Sequence, residues 1–415
     1  MRSTHDSYGR WSAIHDSARF LSLSLILMGC TPAPHPPDTA PADAGPGRDV
    51  GRIDGGADAG MTVDGSVPGD AGTLADIGLA FDAGGDAGPT PITATTAANE
   101  MTCGFNVGNT FETNQHPRIP MSVNAMIDAY YAQGYRMVRL PVRWLDSDWG
   151  EGSLADDAGV VNRDHPRLAS MASVIDHALE RGMYVVLDAH HEDWLFDNAW
   201  SPGQLAIFRT LWTDICEIFA DRGYGLVFEV VNEPHGTLVA DAAAVRSLNQ
   251  TAYDVIRDCG GHNAERIIVI DGDDWGSPAS LRITWPSVTD IPGGGDDPYL
   301  MGSIHYYSPT ALTHASNAAG IDTAWTVESI GTSMDRTVVW ADGRLPIYVG
   351  ELGVNWNQHA HTINDNVRSW YTAVASETRD RGWAFALWDD GGWFRVMNRS
   401  DQTFNGLEVA ACTVD

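Results

Sequence analysis

There is no lysine anywhere in these 415 residues; all 25 basic side chains are arginine. That absence removes Schiff-base aldol chemistry, pyridoxal enzymes and Walker-type phosphate loops, each of which depends on a lysine amine. Positive charge is scarce altogether. With 55 acidic residues against those arginines, the formal net charge is −30. A surface of that sign repels polyanions, so nucleic acid, anionic lipid and phosphorylated substrates are not expected as partners. A neutral substrate suits it best. Cysteine is sparse at five residues, and the apolar run Phe20 to Met28 is too short to cross a bilayer as a stable helix. Apolar residues still make up 43% of the chain, enough for a sizeable core in one large domain or two ordinary ones.

The first 30 residues have the layout of an export signal. Arg19 precedes the short apolar run, which ends in Leu27-Met28-Gly29-Cys30. This ending resembles the bacterial lipoprotein box, which implies that Cys30 is lipidated and becomes the mature N-terminus. An ordinary signal peptide with an incidental cysteine is the alternative. Residues 31–97 are mostly Pro, Ala, Gly and Asp, with Asp-Ala-Gly recurring at Asp43, Asp58, Asp70, Asp82 and Asp86. Such a stretch buries too little apolar surface to offset its ordering entropy, so it reads as an extended, self-repelling linker. A calcium-binding repeat would need regular acidic spacing, and the spacing is irregular. The expected location is therefore outside the cytoplasm, lipid-anchored at the cell envelope, with the lipid as the only membrane contact.

From residue 98 to 415 helical and strand patterns alternate. Apolar strands are expected at Thr102–Val107, Tyr135–Leu140, Met183–Leu187, Leu226–Val231, Arg266–Ile270, Leu300–Tyr307, Pro346–Val349 and Trp383–Trp388. Gly134, Gly182, Gly223 and Gly382 each stand between a helix and a strand, where a left-handed cap lets the chain reverse. Eight strands spaced roughly 35–45 residues apart over about 320 residues fit a (β/α)8 barrel, with an open doubly wound sheet as runner-up. Two pairings of the remaining cysteines suit that barrel: Cys216 with Cys259 on successive helices, and Cys103 with Cys412 joining its two ends. Four buried thiols are the alternative.

Parallel α/β folds place their chemistry at the carboxyl ends of the strands. The run Leu226 to Val231 ends in Asn232-Glu233-Pro234, and Pro234 cannot donate to a ladder. Other strand ends carry Arg139, Asp188-Ala189-His190, His305 and Tyr307, Glu351, and Trp388. Glu233 and Glu351 come from the fourth and seventh strands, so they can face each other over the barrel mouth. Opposed carboxyl groups are what glycosidic cleavage requires. Trp144, Trp194, Trp275, Trp356 and Trp393 fall in the segments beyond the strands, where their rings can stack on sugars, whereas Trp212 falls in a helix and is expected in the core.

Taken in order, Arg139, Asp188-Ala189-His190, Asn232-Glu233-Pro234, His305-x-Tyr307, Gly350-Glu351 and Trp388 resemble glycoside hydrolase family 5, the cellulase-type (β/α)8 enzymes. The resemblance covers residues 101–405. It implies Glu233 as acid/base and Glu351 as nucleophile, Asn232 on the sugar 2-hydroxyl, and Arg139 and Tyr307 positioning the nucleophile. It also implies His190 and His305 lining the cleavage subsite and Trp388 as its stacking floor. The activity implied is retaining endo-1,4-β-glucanase, with mannan or xyloglucan as other substrates. It implies a polysaccharide as substrate, a monomer, and no metal or cofactor. Two rivals come from other classes: a metal-dependent barrel hydrolase using His190, His191 and His305, and a non-catalytic surface glycan-binding lipoprotein. Replacement of Cys30 by Ala is expected to move the protein from the membrane fraction to the soluble one. Unchanged membrane association would count against the anchor.

Overall fold

The computed structural model describes residues 90–412, apart from 114, 117–119, 146–151, 197–199, 240, 316, 318 and 359–361. Cys30, the export signal and linker residues 31–89 lie outside the described residues. Eight parallel strands close into a barrel: β1 Cys103–Asn106, β2 Met137–Leu140, β3 Tyr184–Asp188, β4 Leu226–Glu229, β5 Ile268–Asp271, β6 Leu300–Tyr306, β7 Ile347–Leu352 and β8 Ala384–Leu387. Strands pair in sequence order and β1 closes on β8. Every residue of all eight is buried, which explains why they read as continuous apolar runs. Among the described residues no helix is long and apolar enough to cross a membrane.

Helices cover the outside of the barrel. In Pro202–Ile218, Ser201 accepts from Gln204 N and Pro202 takes the first helical position. Phe208, Leu211, Trp212 and Ile215 share its buried face, and Trp212 Nε1 donates to the carbonyl of Val230, just past β4, at 3.2 Å. Core packing thus reaches the start of the loop that carries Glu233. Gly134, Gly182 and Gly382 adopt the left-handed φ expected of them (93°, 71° and 68°). Gly223 is not among the left-handed residues. Cys216–Cys259 and Cys103–Cys412 are disulfide-bonded, with Cα separations of 6.2 and 5.9 Å.

Strand ends differ from expectation by up to three residues, most at β7, which runs past Val349 to Leu352 and so contains Glu351. The anticipated linker end at residue 97 falls inside a helix, Ala94–Met101. Thr93 caps it, and Ala94, Ala97, Ala98 and Met101 pack with Met137, Tyr184, Val227, Met301 and Tyr348 inside the barrel. The helix therefore closes the amino-terminal end. Its small residues are why composition grouped it with the linker: alanine buries little area per residue but fits a narrow barrel base. β4, expected to run to Val231, stops at Glu229. Ala97→Glu would bury an uncompensated carboxylate there and is expected to cost about 3–5 kcal/mol of stability in denaturant unfolding. Unchanged unfolding would show that the helix does not hold the base.

Candidate active site

The site is assembled around Arg139 on β2, which is completely buried. Alternation points Asn106, Arg139, Asp188 and Glu229 into the barrel from β1 to β4. The guanidinium donates from Nε and Nη2 to the two oxygens of Glu229, both at 2.8 Å. Nη2 also donates to Asn232 Oδ1 and pairs with Asp188 Oδ2, each at 2.7 Å. Nη1 donates to Asn106 Oδ1 at 3.0 Å and to Glu351 Oε1 at 2.8 Å.

Glu351 reaches that guanidinium because β7 is irregular. Strict alternation from inward-facing Tyr348 would turn Gly350 inward and Glu351 outward. Instead Ile304 pairs with Val349 and His305 with Glu351, so Gly350 is skipped as a bulge and Glu351 turns inward. Gly350 is required there, since a Cβ would come within 2.9 Å of His305 Nε2. Asn106 Nδ2 holds the bulge by donating to Gly350 O at 3.0 Å. Tyr307 OH donates to the other carboxylate oxygen, Oε2, at 2.9 Å. Glu233 stands on the loop after β4 with φ +46°, a left-handed conformation that costs a non-glycine residue energy and turns its side chain to the mouth. Its Oε1 lies 2.6 Å from His305 Nδ1. One oxygen of each glutamate lies within 4.8 Å of the other.

Electrostatics separate the pair. Burial pushes Glu233 up to about 8, with Arg139 opposing and Glu229 and Asp188 adding to the rise. Burial also raises Glu351, but His305, Arg139 and the Tyr307 hydroxyl hold it to about 7. Glu351 therefore ionises first and Glu233 keeps the proton. Burial lowers His305, with the Glu351 carboxylate opposing, and it lowers His190 more strongly.

His190 Nδ1 lies 2.9 Å from Asp188 Oδ2, and its ring is nearly parallel to that of Trp388, with centroids 5.8 Å apart. Trp388 follows β8 and is fixed by its N–H to Leu352 O at 2.8 Å. Of the other tryptophans named from sequence, Trp194, Trp275 and Trp393 are half-buried. Trp275 stacks on His235 at 3.7 Å, and Trp194 Nε1 donates to Glu192 at 2.6 Å. Trp144 is not a subsite aromatic. It is fully buried and its Nε1 donates to Asp188 O, which makes it core. Trp356 (9% exposed) is nearly buried, with Nε1 donating to Arg395 O, and Trp388 (4%) is more so. Trp212 lies in the core as expected.

Sequence reasoning gave Glu229 and Asn106 no place in the site. Glu229 was the one polar residue interrupting an apolar strand, which is the signal that marks it. Glu192 is fully buried and accepts from Trp144 N, Leu145 N and Trp194 Nε1, so it ties the loop after β2 to the loop after β3.

A closed parallel barrel with two carboxyl groups facing across its mouth, one held protonated and one held by a guanidinium, is a glycosidase architecture. The cellulase family, glycosyl hydrolase family 5, matches residues 98–392, and the chain belongs to that family. It is similar to Endoglucanase H of Acetivibrio thermocellus (28% identity over 74% of this chain and 32% of that protein). It is also similar to Endoglucanase B of Clostridium cellulovorans (29%; 77% and 74%) and Endoglucanase A of Ruminococcus albus (27%; 78% and 89%). The chain thus spans about a third of the first of these and most of the other two. The fold matches that of endoglucanase Cel5A from Thermotoga maritima, with TM-score 0.62 and 22% identity over 77% of this chain and 100% of that one.

Trp388→Ala is expected to lower kcat/KM for glycan hydrolysis far more than it lowers stability. Trp212→Ala is expected to cost about 3–5 kcal/mol in unfolding. Parallel kinetics and denaturation separate the two. Intact turnover with a large stability loss in the Trp388 variant would place that ring in the core.

Proposed function

We propose that the protein is a retaining endo-β-1,4-glucanase acting as a monomer, tethered to the cell envelope through Cys30 and the linker. The observation that carries the mechanism is the short separation of the two glutamates, within 4.8 Å between one oxygen of each. Retaining enzymes hold their carboxyls roughly 5–5.5 Å apart, and inverting ones roughly 6.5–9.5 Å, to admit a water between acid and base.

Glu351, ionised and held by Arg139 and Tyr307, attacks the anomeric carbon as the bond to the leaving oxygen breaks. Glu233 gives its proton to that oxygen. A glycosyl-enzyme ester on Glu351 results, and Glu233, now ionised, removes a proton from the water that attacks it. His305 serves both halves: its Nδ1 accepts from protonated Glu233 or donates to the carboxylate, according to tautomer. Asn232, fixed by Arg139 next to the acid/base, is placed for the sugar 2-hydroxyl. The net charge of −30 favours a neutral glycan, and the curated relatives are named endoglucanases, which supports β-1,4-glucan over mannan or xyloglucan.

A hydrolysis panel of cellulose, mannan, xyloglucan and xylan tests the substrate. Absence of reducing sugar from all four would favour a glycan-binding role. Glu233, His305 and Glu351 also lie close enough to share a cation, and activity abolished by chelation and restored by metal would favour that second reading.

Proton NMR of the first-formed product from a β-glucan is expected to show the β-anomer; initial appearance of the α-anomer rules retention out. The pH dependence is expected to be bell-shaped. The active form has Glu351 ionised and Glu233 protonated, so activity rises as Glu351 loses its proton near 7 and falls as Glu233 loses its own near 8. A profile flat from pH 5 to 9 would separate these glutamates from the rate.

A further inference from the structure

Most of the Arg139 guanidinium is spent on groups other than the nucleophile. Glu229, fully buried on β4, takes Nε and Nη2 in a two-pronged pair at 2.8 Å each. Such a fork fixes the guanidinium plane as well as its position. With that edge occupied, Nη1 is left for Glu351 Oε1 and Asn106 Oδ1, and the outer face of Nη2 for Asn232 Oδ1 and Asp188 Oδ2. One carboxylate buried in the barrel thus sets contacts to both halves of the catalytic pair, since Asn232 directly precedes Glu233. An apolar side chain would fill the position as well: Val227, two residues earlier on the same inward face, does so one layer lower.

We propose that Glu229 is a positioning residue for the reaction, orienting Arg139 towards the nucleophile and drawing off part of the positive charge that Arg139 presents to the two catalytic glutamates. The inference rests on the glycosidase reading above. Arg139 faces Glu229 from β2 and Asp188 from β3. Asp271 on β5, His305 on β6, and Tyr348 and Glu351 on β7 all feel one or both of these charges. β1 contributes uncharged Asn106, and Glu233 lies beyond the end of β4 itself. Three carboxylates, Asp188, Glu229 and Glu351, share the one guanidinium. While Glu229 holds its share, Arg139 withdraws the proton of Glu233 less strongly, and the Glu229 charge itself favours that proton.

The direction of the effect follows. Neutralising Glu229 removes a negative charge near Glu233, which then loses its proton at lower pH. It also leaves Arg139 to act more fully on Glu351, which then ionises at lower pH. Both limbs of the bell move towards acid.

The test is the pH dependence of kcat and kcat/KM on a soluble β-glucan for the wild-type chain, Glu229→Gln and Glu229→Asp. Glu229→Gln is expected to shift both limbs down by about half to one unit. Its kcat is expected to fall by roughly tenfold or more with little change in KM, because the lost contacts act on the nucleophile rather than on binding. Glu229→Asp keeps the charge but cannot span the fork; its bell is expected to stay within about 0.3 unit of wild type while kcat falls. A Glu229→Gln bell superimposable on wild type overturns the inference. Should the Gln variant not fold, the Asp variant decides alone: an acid shift of about a full unit with the charge retained overturns the electrostatic role. A wild-type chain that releases no sugar from any β-glycan sinks the glycosidase reading and this inference together, whereas an active wild type with unmoved variants sinks only the latter.

Discussion

One buried cation sets the terms for this protein. Arg139 sits inside the barrel with no exposed surface, and a guanidinium there is tolerable only if the groups around it return what hydration would have supplied. Glu229, Asp188, Glu351, Asn106 and Asn232 do so, from four strands and the loop after β4. The dependence is mutual. The same carboxylates would be strongly driven to protonate in that interior without the arginine, and burial already lifts Asp188 to about 6. Removing either side leaves buried charge exposed to the low dielectric, so barrel closure and catalytic geometry are parts of one electrostatic arrangement.

The fold keeps this arrangement at one height. Parallel register brings Arg139 beside Val186 and Asp188 beside Glu229, placing the charged side chains in a layer above the apolar one formed by Met137, Tyr184 and Val227. Below, the helix Ala94–Met101 closes the base and Tyr184 OH donates to Glu100. Above, the loops after β2 and β3 are joined through buried Glu192, and the segment after β8 is held by Asp389 and Asp390, which accept backbone N–H groups from Gly391, Gly392, Phe394 and Met397. Loops that carry Trp194 and Trp393 thus begin from rigid supports, which is what a site needing sub-ångström placement demands.

Much of this could be read in the chain itself. Eight apolar runs and the residues at their carboxyl ends identified a barrel, its mouth and the two glutamates, because strand burial and strand termination are local matters of hydrophobicity and of proline's missing N–H. The groups gathered at the mouth were legible for the same reason: residue types at strand ends are read directly from the chain. The absence of lysine and the net charge of −30 narrowed the substrate to something neutral.

The rest was decided only when distant segments met. Alternation along β7 alone would face Glu351 outward, and the skipped Gly350 that turns it inward is defined by pairing with β6, about 45 residues away in sequence. Trp144 looked like a platform, yet its burial comes from contacts made after the barrel closes. The alanine-rich helix before β1 was indistinguishable from linker until the barrel base gave it something to bury against. Sequence set which groups are present and where strands end. Register, burial and the sharing of one guanidinium among three carboxylates set what those groups do, because all three depend on neighbours the chain brings together only on folding.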